Sequence, residues 1–277
     1  MSQPEFSSQP PENGAARDAE NGETIREEIA RVDAELLGLA ARRLKLVESL
    51  DGLETERPVV APARETATLR GLLQTAGEYL EPDFIIEMWR ALFGAEARRR
   101  GPVDVAVAGT SDPVRLFDLA RRHFGTRTRI SRALDPQNAL TKALEQPNTL
   151  AIAPWPAAPG VGSWWPALSE TRFSKLSLIA GLPLRRPEGV EPEAGVFALT
   201  SAEPAGEDMT MMIVFDPHHR MQRAFAEVGL AGTEVSRSEP RALVRVEGFV
   251  TPKDPRVIAL RGMGLDAVRV LGSFARI

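Results

Sequence analysis

The most regular hydrophobic pattern in this chain lies within residues 24–50, where apolar side chains recur at intervals of three and four. The main apolar positions are Ile25, Ile29, Val32, Leu36, Leu39, Leu46, Val47 and Leu50. This spacing predicts one long amphipathic helix, with Thr24 as its N-cap and Glu27 completing a capping box. Residues 1–22 have almost no bulky apolar side chains, so we expect a disordered tail there.

Two more helices are predicted before residue 102. One runs from about Arg64 to Ala76, and the other begins at Pro82 and ends in three arginines followed by Gly101. We therefore predict an all-α domain of three helices over residues 23–101. The apolar residues expected on the buried side of the last helix are Phe84, Ile85, Met88, Trp89, Leu92 and Phe93.

The pattern changes at residue 103, where β-branched strand-like runs begin to alternate with helical ones. This alternation predicts a parallel-sheet α/β lobe, which we place at residues 103–186. A Pro- and Glu-rich linker follows, and residues 195–277 give the order β-β-α-β-β-α-β. The predicted fold class is multidomain: an all-α three-helix domain, then an α/β lobe, then an α+β domain.

Composition narrows the classes of function. The net charge of −4 and the 43% hydrophobic content are ordinary for a globular chain and give no reason to expect a nucleic-acid or membrane partner. The absence of cysteine excludes disulfides, thiolate nucleophiles and sulfur-ligated metals. The sequence has neither an apolar run of about 18 residues nor a signal-peptide pattern, so we expect a cytoplasmic location.

Two arginines, Arg26 and Arg43, lie near or on the apolar face of the first helix. At 1.5 Å per residue they are separated by about 25 Å, too far apart for one small-molecule site to use both from the same helix. A two-fold dimer removes this difficulty, because each helix then gives one arginine to each of two sites. We therefore predict a homodimer joined through residues 24–50. The alternative is an amphipathic dimerisation helix with two solvated arginines.

The first helix resembles that of the all-helical chorismate mutases, whose pattern is LRxxIDxxDxxLLxLLxxR. The resemblance implies that the chain rearranges chorismate to prephenate on the route to phenylalanine and tyrosine. It also implies a small dianion, chorismate, as the partner, with neither a cofactor nor a metal. The residues that carry the resemblance are Ile25, Arg26, Ile29, Val32, Asp33, Leu36, Leu37, Arg42 and Arg43.

The same resemblance assigns roles to individual residues. Arg43 of one subunit and Arg26 of the other are expected to bind the two carboxylates of chorismate. Arg64 and Glu65 match an Arg-Glu pair whose carboxylate meets the substrate hydroxyl. Arginine suits the carboxylates because its planar fork binds them through two hydrogen bonds.

Two positions depart from the family pattern. Glu54 stands where the family has a lysine, and Arg100 stands where it has glutamine or glutamate. This exchange predicts that Arg100 supplies the cation at the breaking ether oxygen. The alternative is that residues 98–100 form a basic last helical turn that faces water.

The rest of the chain resembles the later part of bifunctional chorismate mutase–prephenate dehydratases. Residues 105–125 are similar to the opening of the dehydratase lobe, and residues 268–276 match the end of the ACT domain. The glycine-rich loop, the ENS residues and the second lobe of that family are missing, so we predict no dehydratase activity. The string Thr171-Arg172-Phe173 repeats a catalytic motif of the family outside its usual place, and we interpret it as a coincidence.

The effector-binding motifs of the ACT domain are also replaced. Residues 217–220, Pro-His-His-Arg, and residues 235–238, Val-Ser-Arg-Ser, stand in their places. The chain has no cysteine and no cluster of carboxylates near the histidine pair, which favours a solvated loop over a metal site. The alternative for the whole protein is a catalytically impaired chorismate mutase homologue with a binding or regulatory role.

Overall fold

The computed structural model describes residues 12–53, 58–109, 113–156, 164–265 and 267–277. The chain divides into two compact units, residues 1–57 and residues 58–277. The described part of the first unit contains one helix, α1, which runs from Glu12 to Asp51 and includes 40 residues. The predicted N-cap at Thr24 is wrong, because the helix begins at Glu12. Residues 12–22, expected in a disordered tail, contain no proline and several helix-forming residues.

The predicted apolar face of α1 is present and exposed. Seven of the eight predicted apolar residues have at least 39% of their surface accessible to solvent, and the eighth, Val47, is half-buried. Such a continuous apolar stripe on a helix is normally buried against a partner. The residues concerned are Ile25, Ile29, Val32, Leu36, Leu39, Leu46 and Leu50.

The second unit contains helices and strands in alternation. Its described helices are α2 (Pro62–Thr75), α3 (Pro82–Arg100), α4 (Pro113–Phe124), α5 (Pro136–Glu145), α6 (Met221–Glu227) and α7 (Pro255–Gly262). Its described strands are β1 (Asp104–Val107), β2 (Arg129–Arg132), β3 (Thr149–Pro154), β4 (Ser177–Leu182), β5 (Ala194–Ala198), β6 (Asp208–Phe215), β7 (Gly232–Ser238), β8 (Arg241–Glu247) and β9 (Val268–Ala275). Two short 3-10 helices lie at Trp165–Ser169 and Thr171–Phe173. None of the described helices is long and apolar enough to cross a bilayer.

The described strands form one sheet in the order β2-β1-β3-β5-β4-β9-β6-β8-β7. β1 pairs in parallel with both β2 and β3, as the alternation of strands and helices predicted. The fold class predicted from sequence, a helical N-terminal segment followed by α/β and α+β parts, is confirmed.

The C-terminal half of the sheet has a ferredoxin-like topology. Elements β6-α6-β7-β8-α7-β9 follow the order βαββαβ, and their strands lie in the order β9-β6-β8-β7 with antiparallel pairing. The strand at residues 194–198, which we expected to begin this half, instead pairs with β3 and β4. A local pattern indicates a strand but does not identify its partner, so the prediction placed β5 in the wrong half of the sheet.

The two halves of the sheet share one hydrophobic core. Trp155 and Trp165 are buried together with Met211 and Phe274, and the rings of Trp155 and Phe274 meet edge to face at 4.9 Å. Only the Leu178–Gly272 pair joins β4 to β9 among the described residues. A side chain at position 272 would collide with the backbone of β4, so a glycine is required there.

Helices α2 and α3 belong to the second compact unit and pack on this sheet rather than forming a body of their own. α2 contacts α3, β4 and β9, and α3 also contacts α4. Leu69 and Phe93 are buried in the same core cluster as Val105 of β1. Of the residues predicted on the buried side of α3, Ile85 and Phe93 are buried, whereas Phe84 is 51% exposed.

Candidate functional site

The predicted site residues of the first unit lie on α1. The side chain of Arg26 is mostly exposed, and its Nη1 lies 3.1 Å from Oε2 of Glu23 one turn earlier. Arg43 is half-buried. Glu54, the first departure from the family pattern, lies outside the described residues.

Glu65 lies in the first turn of α2, where its carboxylate binds Arg90 of α3. Nη1 of Arg90 donates to Oε2 of Glu65 at 2.5 Å, and Nε of Arg90 donates to the carbonyl oxygen of His123 at 2.6 Å. Arg90 is only 5% exposed, so this is a nearly buried charge pair that connects α2, α3 and α4. Removing one member of such a pair costs about 3–5 kcal/mol, because the other charge stays buried.

Arg64 and Arg100 contact other parts of the second unit. Nε of Arg64 donates to Oε2 of Glu203 at 3.1 Å in a half-exposed ion pair. Nη1 of Arg100 donates to the carbonyl oxygen of Val59 at 3.3 Å. Arg64, Glu65 and Arg100 are therefore bound to three different groups.

A cleft of about 280 Å³ lies between α3, α4 and the end of β4. None of the predicted catalytic residues lines it. Its lining residues are Asp83, Ile86, Glu87, Arg90, Arg115, Leu119, Arg122, His123, Leu182, Pro183, Leu184 and Arg185. One feature of the sequence is consistent with the cleft: the charged residues 83, 87 and 90 share one face of α3.

Ion pairs occupy several of the arginines around the cleft. Arg115 donates from Nε and Nη2 to the two carboxylate oxygens of Glu193 at 2.6 and 2.5 Å, and these hydrogen bonds lower the pKa of Glu193. Nε of Arg122 lies 3.0 Å from Oδ2 of Asp118. Charge is therefore close to balanced on the α4 side of the cleft.

The α3 side of the cleft is less fully paired. Nη1 of Arg185 donates to Oδ1 of Asp83 at 2.9 Å across an exposed ion pair. Glu87 makes neither a hydrogen bond nor an ion pair within the described part of the chain. The carboxylate of Glu87 and most of the hydrogen-bond donors of Arg185 therefore remain available to a ligand.

His123 is a buried histidine that lines the cleft. It is 4% exposed, and its Nε2 has no hydrogen-bond partner among the described residues. Burial, and secondarily the positive charge of Arg90, lower the pKa of His123 well below its ordinary value. The imidazole is therefore neutral at neutral pH.

In the ferredoxin-like half, Asp216 occupies the turn between β6 and α6. Its carboxylate accepts from the backbone amides of Arg220 at 2.7 Å and Met221 at 3.3 Å, and from Nη2 of Arg237 at 3.2 Å. Burial alone would raise the pKa of Asp216, but these hydrogen bonds together lower it. The chain's own carboxylate thus binds Arg237 of β7.

The two remaining features noted in the sequence are the histidine pair at residues 218–219 and the Thr-Arg-Phe string at residues 171–173. Nε2 of His219 lies 3.5 Å from Oε1 of Glu239, and both side chains are exposed. The described residues contain no group of three or more histidine and carboxylate side chains placed to hold a metal. Arg172 of the Thr-Arg-Phe string binds Glu170 at 2.7 Å and Gln137 at 3.0 Å.

Comparisons with known proteins identify one segment of the chain. Residues 25–99 match the chorismate mutase type II family, which confirms the resemblance predicted for this segment. No curated protein matches the sequence.

Solved structures that are similar to this chain include three that each cover 63% of it. The prephenate dehydratase from Streptococcus mutans is 13% identical, with 100% of its chain covered and a TM-score of 0.45. The prephenate dehydratase from Arthrobacter aurescens, in complex with L-Phe, is 14% identical, with 90% covered and a TM-score of 0.43. GqqA, described as a novel type of quorum quenching acylase, is 14% identical, with 95% covered and a TM-score of 0.42.

Proposed function

We propose that this protein is a chorismate mutase, whose segment 25–99 rearranges chorismate to prephenate. The observation that carries the proposal is the match of this segment to the chorismate mutase type II family, with Arg26 and Arg43 in register on the first helix. The predicted domain boundaries, the ACT-like character of the C-terminal half and the cytoplasmic location remain predictions.

The reaction requires little chemistry from the protein. It is intramolecular, so the site has to hold a dianion in its reactive conformation and stabilise the charge that develops on the ether oxygen. Two arginine forks meet the first need, since each binds a carboxylate through two parallel hydrogen bonds. Arg43 of one subunit and Arg26 of the other take this role in the proposed site.

The exposed apolar face of α1 supports the dimer that this site requires. A second copy of the helix would cover the stripe and bring Arg26 of one chain to the end of the helix where Arg43 of the other lies. The spacing of about 25 Å between these two arginines makes the proposed site depend on the dimer.

The Glu65–Arg90 pair favours the second candidate function, a catalytically impaired homologue with a binding or regulatory role. In the proposed site Glu65 meets the substrate hydroxyl, yet its carboxylate is bound to the nearly buried Arg90. If Glu65 keeps this partner in the dimer, the site lacks one of its contacts and the rate should be low.

The test is to follow the disappearance of chorismate with the purified full chain, using Arg43→Ala and Arg42→Ala as a matched pair of variants. Arg42 is an exposed neighbour on the same helix, so its loss removes an equal charge without touching the proposed site. We expect conversion by the unaltered protein, a fall of about 10²-fold or more in kcat/KM for Arg43→Ala, and little change for Arg42→Ala.

Two outcomes would count against mutase activity at this site. Equal, small effects of both substitutions would remove Arg43 from it. Absence of conversion, combined with saturable binding of chorismate, would establish the second candidate function.

A further inference from the structure

We propose that the cleft between α3, α4 and the end of β4 binds a zwitterionic α-amino acid with a large apolar side chain. The cleft contains none of the residues used in the proposed mutase site, so this proposal does not depend on that activity. The argument rests on the apolar wall of the cleft, its two available charges and its buried histidine.

The apolar wall comes from three elements of the second unit. Ile86 of α3, Leu119 of α4 and residues 182–184 at the end of β4 line the same space. An apolar ligand side chain placed there leaves water, which is the main favourable contribution to small-molecule binding. A volume of about 280 Å³ is at the small end of ligand sites and suits a single amino acid rather than a nucleotide.

The charges around the cleft favour a ligand that is neutral overall and carries separated charges. Arg115 and Arg122 are already paired with Glu193 and Asp118, so a simple anion finds no large excess of positive charge. Among the described residues, Arg185 has one hydrogen bond, through Nη1 to the exposed Asp83, and this exposed ion pair is weak. The remaining guanidinium donors are suited to a carboxylate.

Glu87 provides the complementary group. It lies one turn after Asp83 on α3, lines the cleft and has no partner within the described residues. A carboxylate and an available guanidinium that line the same cleft match the ammonium and carboxylate of an α-amino acid.

His123 is the independent sign that the cleft is more than a gap between helices. Buried polar atoms are nearly always hydrogen-bonded, yet Nε2 of this almost fully buried side chain has no partner in the described structure. Nε2 is enclosed by protein, so a small shift of the ring when a ligand binds would bring it to that partner, directly or through a bound water.

The experiment uses isothermal titration calorimetry on the full chain with three probes of similar shape. L-phenylalanine carries both charges, 3-phenylpropionate lacks the ammonium, and phenethylamine lacks the carboxylate. We expect saturable binding of L-phenylalanine and at least 10-fold weaker binding of the two analogues. L-leucine should bind as well, because the wall is not specific for aromatic rings.

Two variants assign the charges to residues. Glu87→Gln should weaken L-phenylalanine at least 10-fold and leave 3-phenylpropionate unchanged, whereas Arg185→Met should weaken L-phenylalanine and leave phenethylamine unchanged. The matched controls are Glu227→Gln and Arg172→Met, which change the same residue types at exposed sites outside the cleft lining.

This crossed pattern requires direct contact, because a general loss of structure would weaken every probe together. The proposal is overturned if none of the amino acids binds saturably. It is equally overturned if both cleft variants bind L-phenylalanine as tightly as the unaltered chain, since the ligand then occupies another place.

Discussion

His123 combines deep burial with a titratable ring, and this combination gives the stability of the protein a defined dependence on pH. The ring is neutral in the folded protein because burial and Arg90 lower its pKa. In the unfolded chain the pKa returns to about 6.5. Below that value the unfolded chain binds a proton that the folded protein does not, so protonation favours unfolding.

We therefore expect the free energy of unfolding to fall as the pH is lowered from about 6.5 towards the folded pKa of His123, with no contribution from this group above 6.5. Urea denaturation at a series of pH values measures this slope. His123→Gln should flatten the slope, whereas His218→Gln, in an exposed turn, should leave it unchanged. An identical slope in all three proteins would contradict the assignment to His123.

Arg100 is the residue at which two roles compete. Its bond to the carbonyl oxygen of Val59 fits a structural role, and the exchanged charges at positions 54 and 100 fit a role at the ether oxygen. With Arg100 as the cation in the proposed mutase site, we expect Arg100→Ala to lower kcat about 10²-fold. Arg98→Ala and Arg99→Ala, in the same turn, should have little effect. Equal and small losses in all three variants would leave Arg100 with the structural role.

At the scale of elements, α1 presents an apolar stripe that we propose a second copy covers. A charge placed in that stripe should separate the two copies, because it would be buried without a partner. We expect sedimentation equilibrium to give a dimer for the unaltered chain and for Ala34→Glu, which lies on the opposite face of α1. Leu36→Glu should give a monomer. A monomeric unaltered chain at micromolar concentration would remove the dimer and the shared site with it.

Most elements were predictable from local pattern, and their partners were not. The run at residues 209–215 predicts a strand, which the structure has at Asp208–Phe215. β5 was equally recognisable, but its pairing with β3 and β4 depends on residues far along the chain. The first helix begins at Glu12 and not at the predicted Thr24, because helix propensity outweighs a composition typical of disorder.

The candidate sites divide in the same way. The arginines of α1 were recognised because a fixed pattern of polar and apolar positions surrounds them. The cleft formed by Ile86, Leu119 and Leu182 exists only because α3, α4 and β4 pack together, so no stretch of sequence contains it. The hydrogen bond between Glu65 and Arg90 could not be predicted from the sequence either, because it depends on how α2 and α3 pack together.

At the scale of the whole molecule, the sequence predicts no dehydratase activity, because we did not recognise the glycine-rich loop or the second lobe of the dehydratases in it. We expect the purified protein to produce no phenylpyruvate from prephenate above background in a spectrophotometric assay. Thr171→Ala provides the control, because it removes the first residue of the Thr-Arg-Phe string. Phenylpyruvate formed by the unaltered chain and lost in Thr171→Ala would show that this string is functional.

The packing of α2 and α3 on the sheet determines where a gene encoding this protein can be cut or fused. The family match ends at residue 99, which suggests a breakpoint there, but Leu69 and Phe93 on the N-terminal side share a core with Val105 beyond it. A fragment that ends at residue 99 would contain α2 and α3 without the sheet on which they pack. Recombination between related genes at that position would likewise combine helices from one protein with a sheet from another, and their packing surfaces would not be complementary. The segment that matches the family and the segment that folds as one compact unit therefore begin and end at different residues.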